Sequence, residues 1–143
     1  DISFNDADCR YQEIDFSQNL LSSHGIEQLV RVCMRCRNLR VLKLYKNNLD
    51  DDCAHDLAKL LKHCQTLQEV HLSHNRFSRW GAALLVEAAS RSRPKECAPL
   101  WLRLEQNNIN DPASFLCEME ERFAVCPRRP ECTSFRCCVS SRV

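Results

Sequence analysis

Several clusters in this 143-residue sequence have residue types that could do chemistry. Cys33-Met-Arg-Cys36 has the C-x-x-C spacing of a redox or metal-binding pair. Near the C-terminus, Cys126, Cys132, Cys137 and Cys138 follow the pattern C-x5-C-x4-C-C. Four thiolates can hold zinc, but this is not a usual zinc framework, and no His follows His74. A disulfide-clipped cap and a set of free thiols are the other readings of that tail. His71 and His74 have only Glu69 as a nearby carboxylate, which is thin for a metal site or an acid–base pair. Asp50-Asp51-Asp52 lacks the spaced oxygen ligands and turn glycine of a calcium loop, and suits a helix N-terminus instead. There is no Ser-His-Asp order, phosphate loop or zinc-hydrolase helix motif. No catalytic residue, metal ligand or cofactor is therefore assigned.

The bulk composition narrows the function classes. Apolar residues are 44% and charged residues 27%, and the length suits one domain. A formal net charge of +1 gives no electrostatic case for nucleic acid or an anionic membrane as partner. With only two Gly, folds that need many tight turns are disfavoured. No apolar run reaches the length of a membrane span, so a soluble protein is expected; its compartment is left open, with cytoplasm and an organellar lumen or stroma as the alternatives. The sequence opens Asp1-Ile2-Ser3 without Met and is read as a processed product or a fragment.

What must position these side chains is a repeat. Residues 11–19 (YQEIDFSQN), 39–47 (LRVLKLYKN), 67–75 (LQEVHLSHN) and 99–107 (PLWLRLEQN) share the form apolar-x-x-apolar-x-apolar-x-x-Asn. An apolar residue follows two positions later: Leu21, Leu49, Phe77 and Ile109. The four Asn are spaced by 28, 28 and 32 residues. Six residues after each Asn comes Gly25, Cys53, Gly81 or Ala113, and ten after comes Leu29, Leu57, Leu85 or Cys117. Alternation around Leu42 and Leu44 predicts a strand, and the four-residue spacing that follows predicts an amphipathic helix. Helices are expected near 22–36, 50–63, 78–91 and 111–125, with Asp50, Ser78 and Asn110 as N-caps. Asn19, Asn47, Asn75 and Asn107 are expected to turn the chain out of each strand and to form a ladder of amide hydrogen bonds.

The pattern L-x-x-L-x-L-x-x-N-x-L followed by a helix, at a period of 28, resembles the ribonuclease-inhibitor-like class of leucine-rich repeats over residues 11 to about 125. The resemblance implies an α/β fold: a right-handed solenoid, a horseshoe segment of about four strand–helix units, with a parallel sheet on the concave face. It also implies a protein-binding module. The units run 11–38, 39–66, 67–98 and 99–125, after a partial strand or cap at 1–10 (Ile2, Phe4) and before a Cys- and Arg-rich tail or cap at 126–143. The four extra residues of the third unit should bulge within 92–98.

The repeat register recasts most of the cysteines. Cys9, Cys36, Cys64 and Cys97 recur just before strands, and Cys33, Cys53 and Cys117 fall on helix core positions. All seven are read as structural thiols filling small apolar slots. Trp80 is read as a packing residue.

Strand residues that point away from the core form columns on the outer face. They are Glu13, Val41, Glu69, Trp101; then Asp15, Lys43, His71, Arg103; then Ser17, Tyr45, Ser73, Glu105; then Gln18, Lys46, His74, Gln106. The expected partner-binding set is Lys43, Tyr45, Lys46, His71, His74, Trp101, Arg103 and Glu105, with Tyr45 and Trp101 as anchors. The expected function is a non-catalytic protein–protein interaction module, a scaffold or a subunit of a larger assembly. The alternative is an RNA-associated module using the basic tail with Lys43, Lys46, Arg103 and Trp101.

Overall fold

The computed structural model describes residues 9–94, 99–126 and 139–143, with the backbone alone for 139–142. Strands β1 (Glu13–Asp15), β2 (Val41–Lys43), β3 (Glu69–His71) and β4 (Leu100–Arg103) alternate with helices α1 (Ser23–Met34), α2 (Ala54–His63), α3 (Arg79–Ser92) and α4 (Pro112–Arg122). Strands β5 (Val125–Cys126) and β6 (Val139–Arg142) complete one parallel sheet of order β1-β2-β3-β4-β6-β5. The protein is thus α/β, with a parallel strand–helix arrangement.

The helices lie within a few residues of their expected bounds. Asp50 and Ser78 cap as the sequence suggests, accepting from the N–H of Asp52 and Trp80. Asp50 opens a short 3-10 turn, Asp51–Cys53, ahead of α2. For α4 the cap is Asp111 rather than Asn110: its carboxylate accepts from Ser114 N–H, which Asn110 stands one residue too early to do. Ser22 makes no side-chain cap bond to α1.

Register follows the period. Glu13 pairs with Val41, Val41 with Glu69, and Glu69 with Trp101, so the 32-residue third unit keeps its strand aligned. Residues 95–98, which carry part of the extra length, lie outside the described residues, as do Ile2, Phe4 and Cys97. One core lies between sheet and helices. The sheet supplies Ile14, Leu42, Leu44, Val70, Leu72, Leu100, Leu102 and Leu104, and the helices supply Ile26, Leu57, Leu60, Leu85, Phe115 and Met119, among others. Burying each large aliphatic side chain contributes roughly 1.5–3 kcal/mol, and neighbouring units share that gain across their contact.

The strands are short because the chain leaves each one through a left-handed residue. Gln18, Lys46, His74 and Gln106 have φ of 58°, 54°, 54° and 57°. The Asn that follows ties the turn to its neighbours. Asn47 donates through Nδ2 to the carbonyls of Phe16 and Leu44, both at 3.0 Å, and its Oδ1 accepts from the N–H of Asn19 and Leu21. Asn75 donates to Leu44, Leu72 and Ser73 carbonyls at 2.9, 3.1 and 3.3 Å and accepts from Asn47 and Leu49 N–H, both at 3.2 Å. Asn107 donates to Leu72 and Leu104 and accepts from Phe77 N–H. Each amide thus closes its own turn and joins it to the preceding one.

A second tie between units involves an acid from the Asp50–Asp52 run. Asp51 accepts from Ser78 N–H at 2.9 Å and from the Ser78 hydroxyl, so a carboxylate of the second unit sits at the N-terminus of α3.

Two cysteine readings are corrected. Cys9 and Cys36 are not separate thiols: they form a disulfide, with Cα atoms 4.6 Å apart. An isolated parallel bridge between their backbones brings the two strand starts side by side, which one-dimensional spacing does not reveal. Cys117 is exposed rather than in the core, because α4 buries only Phe115 and Met119 and has no following helix among the described residues to cover its far side. Trp80 packs edge-on against His55, with ring centroids 5.6 Å apart, but it is 56% exposed and not part of the core. Its position in the first turn of α3 points it outward. Among the described residues, no helix is long and apolar enough to cross a membrane.

Candidate functional site

The sheet face opposite the helices carries most of the expected partner-binding residues. Strand register places Asp15, Lys43, His71 and Arg103 side by side, as their common repeat position requires. Their charges are arranged in pairs. Lys43 Nζ reaches Glu13 Oε1, and that contact holds the lysine above its usual pKa. The Asp15 carboxyl is held below the usual carboxylate range, chiefly by the backbone N–H of Ser17. His71 is 12% exposed in its side chain, with Nε2 against Glu69 Oε1 and the Arg103 guanidinium 3.2 Å away. Arg103 Nε in turn pairs with Glu105 at 3.1 Å.

The result is a continuous row, Glu69–His71–Arg103–Glu105, beside the separate Glu13–Lys43 pair. Tyr45 stands over the row with its ring centroid 6.1 Å from that of His71. Tyr45 and Trp101 are both half-buried, leaving part of each ring on the surface.

The column Gln18, Lys46, His74, Gln106 and the residue Ser73 behave differently from the rest. Lys46 and His74 are exposed, but they stand in the left-handed turn beyond the strands, so they rim the face rather than line it. Ser73 is buried. The turn geometry was missed because nothing in the identities Gln, Lys, His and Gln signals a positive φ, a region usually filled by Gly or Asn. Its only trace in the sequence is position, one residue before each Asn.

The cysteines make no reactive centre in the described part. Cys36 is bonded to Cys9 rather than poised against Cys33. Burial, with a smaller contribution from nearby Cys64, pushes the Cys33 thiol from 9.0 up to about 12. Thiolate is the nucleophile, so Cys33 is inert in the folded protein. Because the folded value lies above the unfolded one, the folded state holds a proton that the unfolded state loses between pH 9.0 and about 12. Stability present at neutral pH should therefore fall as pH rises through that window. Urea titrations at stepped alkaline pH should show a flatter decline for Cys33→Ala; equal slopes would reject the assignment. Among the described residues no three His, Cys, Asp or Glu side chains gather as a metal-binding group. Cys126 is buried at β5, whereas Cys132, Cys137 and Cys138 lie outside the described residues.

No family model matches the chain. A 43-residue stretch, 30% of the chain, is 46% identical to part of nucleotide-binding oligomerization domain-containing protein 2 of Bos taurus. The match covers 4% of that relative's length. Among solved structures, the chain is similar to one titled leiomodin-1 actin-binding site 2, with a TM-score of 0.64 and 14% identity. That superposition covers 77% of this chain and 62% of the other, and at this identity it is a likeness of fold.

Proposed function

We propose that this chain is a segment of a leucine-rich-repeat solenoid of the ribonuclease-inhibitor-like class, and that it binds a protein partner through the helix-free face of its sheet. The repeat reading is supported by the 28-residue strand register and by the Asn amides bridging successive turns. The local similarity to the bovine protein is consistent with it. The leiomodin-1 structure is of an actin-binding site, so a fold of this kind is compatible with protein binding.

The observation that carries the binding reading is the pairing of charges around two partly exposed aromatic rings. Tyr45 and Trp101 offer apolar area at low entropic cost, and the fixed ions beside them set register against a complementary surface. The same pairing weighs against the RNA-associated reading. Lys43 is committed to Glu13 and Arg103 to Glu105, so neither offers uncompensated charge to a phosphate backbone. The module is non-catalytic in this proposal, a scaffold or a part of a larger assembly.

The test is affinity capture from a native extract, comparing the intact chain with the Lys43→Ala, Tyr45→Ala, Trp101→Ala variant, shown to be folded by circular dichroism. Recovery of the protein partner should fall by at least about tenfold in the variant. Unchanged recovery would move the site off this face, and recovery of nucleic acid alone would favour the RNA reading.

A further inference from the structure

We infer that the outer edge of β1 is a docking edge for one more strand–turn–helix unit of the same repeat, continuous with this chain on its N-terminal side. The inference rests on the repeat reading proposed above.

The interior junctions show what such an edge requires. At each of them the Asn Oδ1 accepts backbone N–H from the preceding turn, and its Nδ2 donates to a carbonyl of the preceding unit. Asn19 has the same place in the first unit. Its Nδ2 donates only within its own turn, to Phe16 and Ser17 carbonyls, and its Oδ1 has no partner among the described residues.

The backbone tells the same story. Phe16 and Gln18 donate to the carbonyls of Lys43 and Tyr45, and Gln12 O accepts from Arg40 and Val41, so by alternation Glu13, Asp15 and Ser17 direct their backbone groups outward. At the next junction the corresponding carbonyls, of Lys43 and Tyr45, accept from the N–H of Phe16 and Gln18. Among the described residues, β1 pairs only with β2.

The apolar positions agree. Leu39 and Leu67 are 0% exposed, but Tyr11 at the same place is 59% exposed. Leu44 and Leu72 are 0% exposed, but Phe16 is 44%. One end of the sheet therefore displays the donors, acceptors and apolar side chains that the interior junctions bury.

The occupant follows from that continuity. A parallel strand and its turn would satisfy Asn19 Oδ1 and the outward carbonyl of Asp15 together, and would give the Ser17 carbonyl a second donor beside Asn19 Nδ2. A second copy meeting β1 across a two-fold axis would pair antiparallel and could not set its turn against Asn19. Cys9 bridges Cys36 in parallel, so the chain approaches β1 beside the route by which it leaves α1 for β2. That approach suits a preceding helix in the same polypeptide.

The experiment replaces residues 1–10 with a second copy of 39–66, joined directly to Tyr11 as it is naturally joined to Leu67. It is compared with the full chain in reducing buffer, so that the Cys9–Cys36 bond favours neither. Exchange of the Glu13 and Asp15 amides should slow by at least about tenfold in the extended chain. Asn19→Ala should leave the urea midpoint of the full chain nearly unchanged and lower that of the extended chain by about 1 M. Equal shifts in the two backgrounds would overturn the inference. So would a full chain already dimeric with protected β1 amides, which would favour a second copy. A control carrying the same copy inserted after Thr66 separates the two readings. If the interior copy folds and the N-terminal one leaves β1 unprotected, the docking edge is wrong and the repeat reading stands. If neither folds, both fall.

Discussion

Asn75→Ala is expected to destabilise the folded chain by about 3–5 kcal/mol, with its urea midpoint lowered and the urea slope little changed. The magnitude follows from what the amide satisfies. Asn75 is 5% exposed, and its side chain serves three carbonyls and two N–H groups. Alanine removes all five partners at once. The N–H groups of Asn47 and Leu49 would be left without an acceptor in a site too enclosed for water to replace the amide freely, whereas the Leu44 and Leu72 carbonyls each keep a second donor, from Asn47 and Asn107. Each buried group left unpaired costs about 1–3 kcal/mol, and partial relaxation of the turn keeps the total below their sum. Asn107→Ala should cost less, because Asn107 is only half-buried and its Oδ1 accepts from Phe77 N–H alone in the described geometry. A loss below about 1 kcal/mol for Asn75→Ala would mean that side-chain burial alone carries the unit contact.

Gly81→Val is expected to destabilise by about 3 kcal/mol, although Gly81 lies in a helix, where a side chain ordinarily helps. Its φ is not in the left-handed region, so backbone conformation does not demand glycine. Space does. A Cβ at position 81 would lie 2.9 Å from Asp51 Cγ, nearer still to Asp51 Oδ1, and 3.4 Å from Phe77 Cδ1. Asp51 is held there by Ser78 N–H and the Ser78 hydroxyl, so displacing it strips α3 of a carboxylate cap as well as crowding the buried Phe77. Hydrogen bonds to a charged group are worth about 1.5–3 kcal/mol, and overpacking adds about 1–3 kcal/mol. The two causes predict non-additivity. Asp51→Ala alone loses the cap, but in the Gly81→Val background it also relieves the clash, so the double variant should cost less than the two single ones summed. Strict additivity of the urea-derived free energies would show that position 81 and Asp51 do not meet.

The sequence by itself determined the period and what the period entails. Leu42 and Leu44 alternate, Leu57 and Leu61 are four apart, and Asn47 recurs 28 residues on as Asn75. Those local spacings dictate which side of a strand or helix is apolar, and a repeated unit must stack in register to bury it, so Lys43 falls beside His71. The outer-face columns were legible for the same reason. Only the tertiary structure decided contacts that the period does not encode. Cys9 meets Cys36 one residue out of the repeat register, 27 apart. Asp51 caps a helix of the next unit, and Gly81 leaves room for it, because the first turn of α3 meets the 3-10 turn ahead of α2. Lys46 and His74 leave the face because the turn before each Asn is left-handed. Val139–Arg142 lies between β4 and β5 although it follows β5 in sequence. Each of these depends on where separate segments arrive in space. A side chain's type and its distance along the chain limit that arrival but do not specify it.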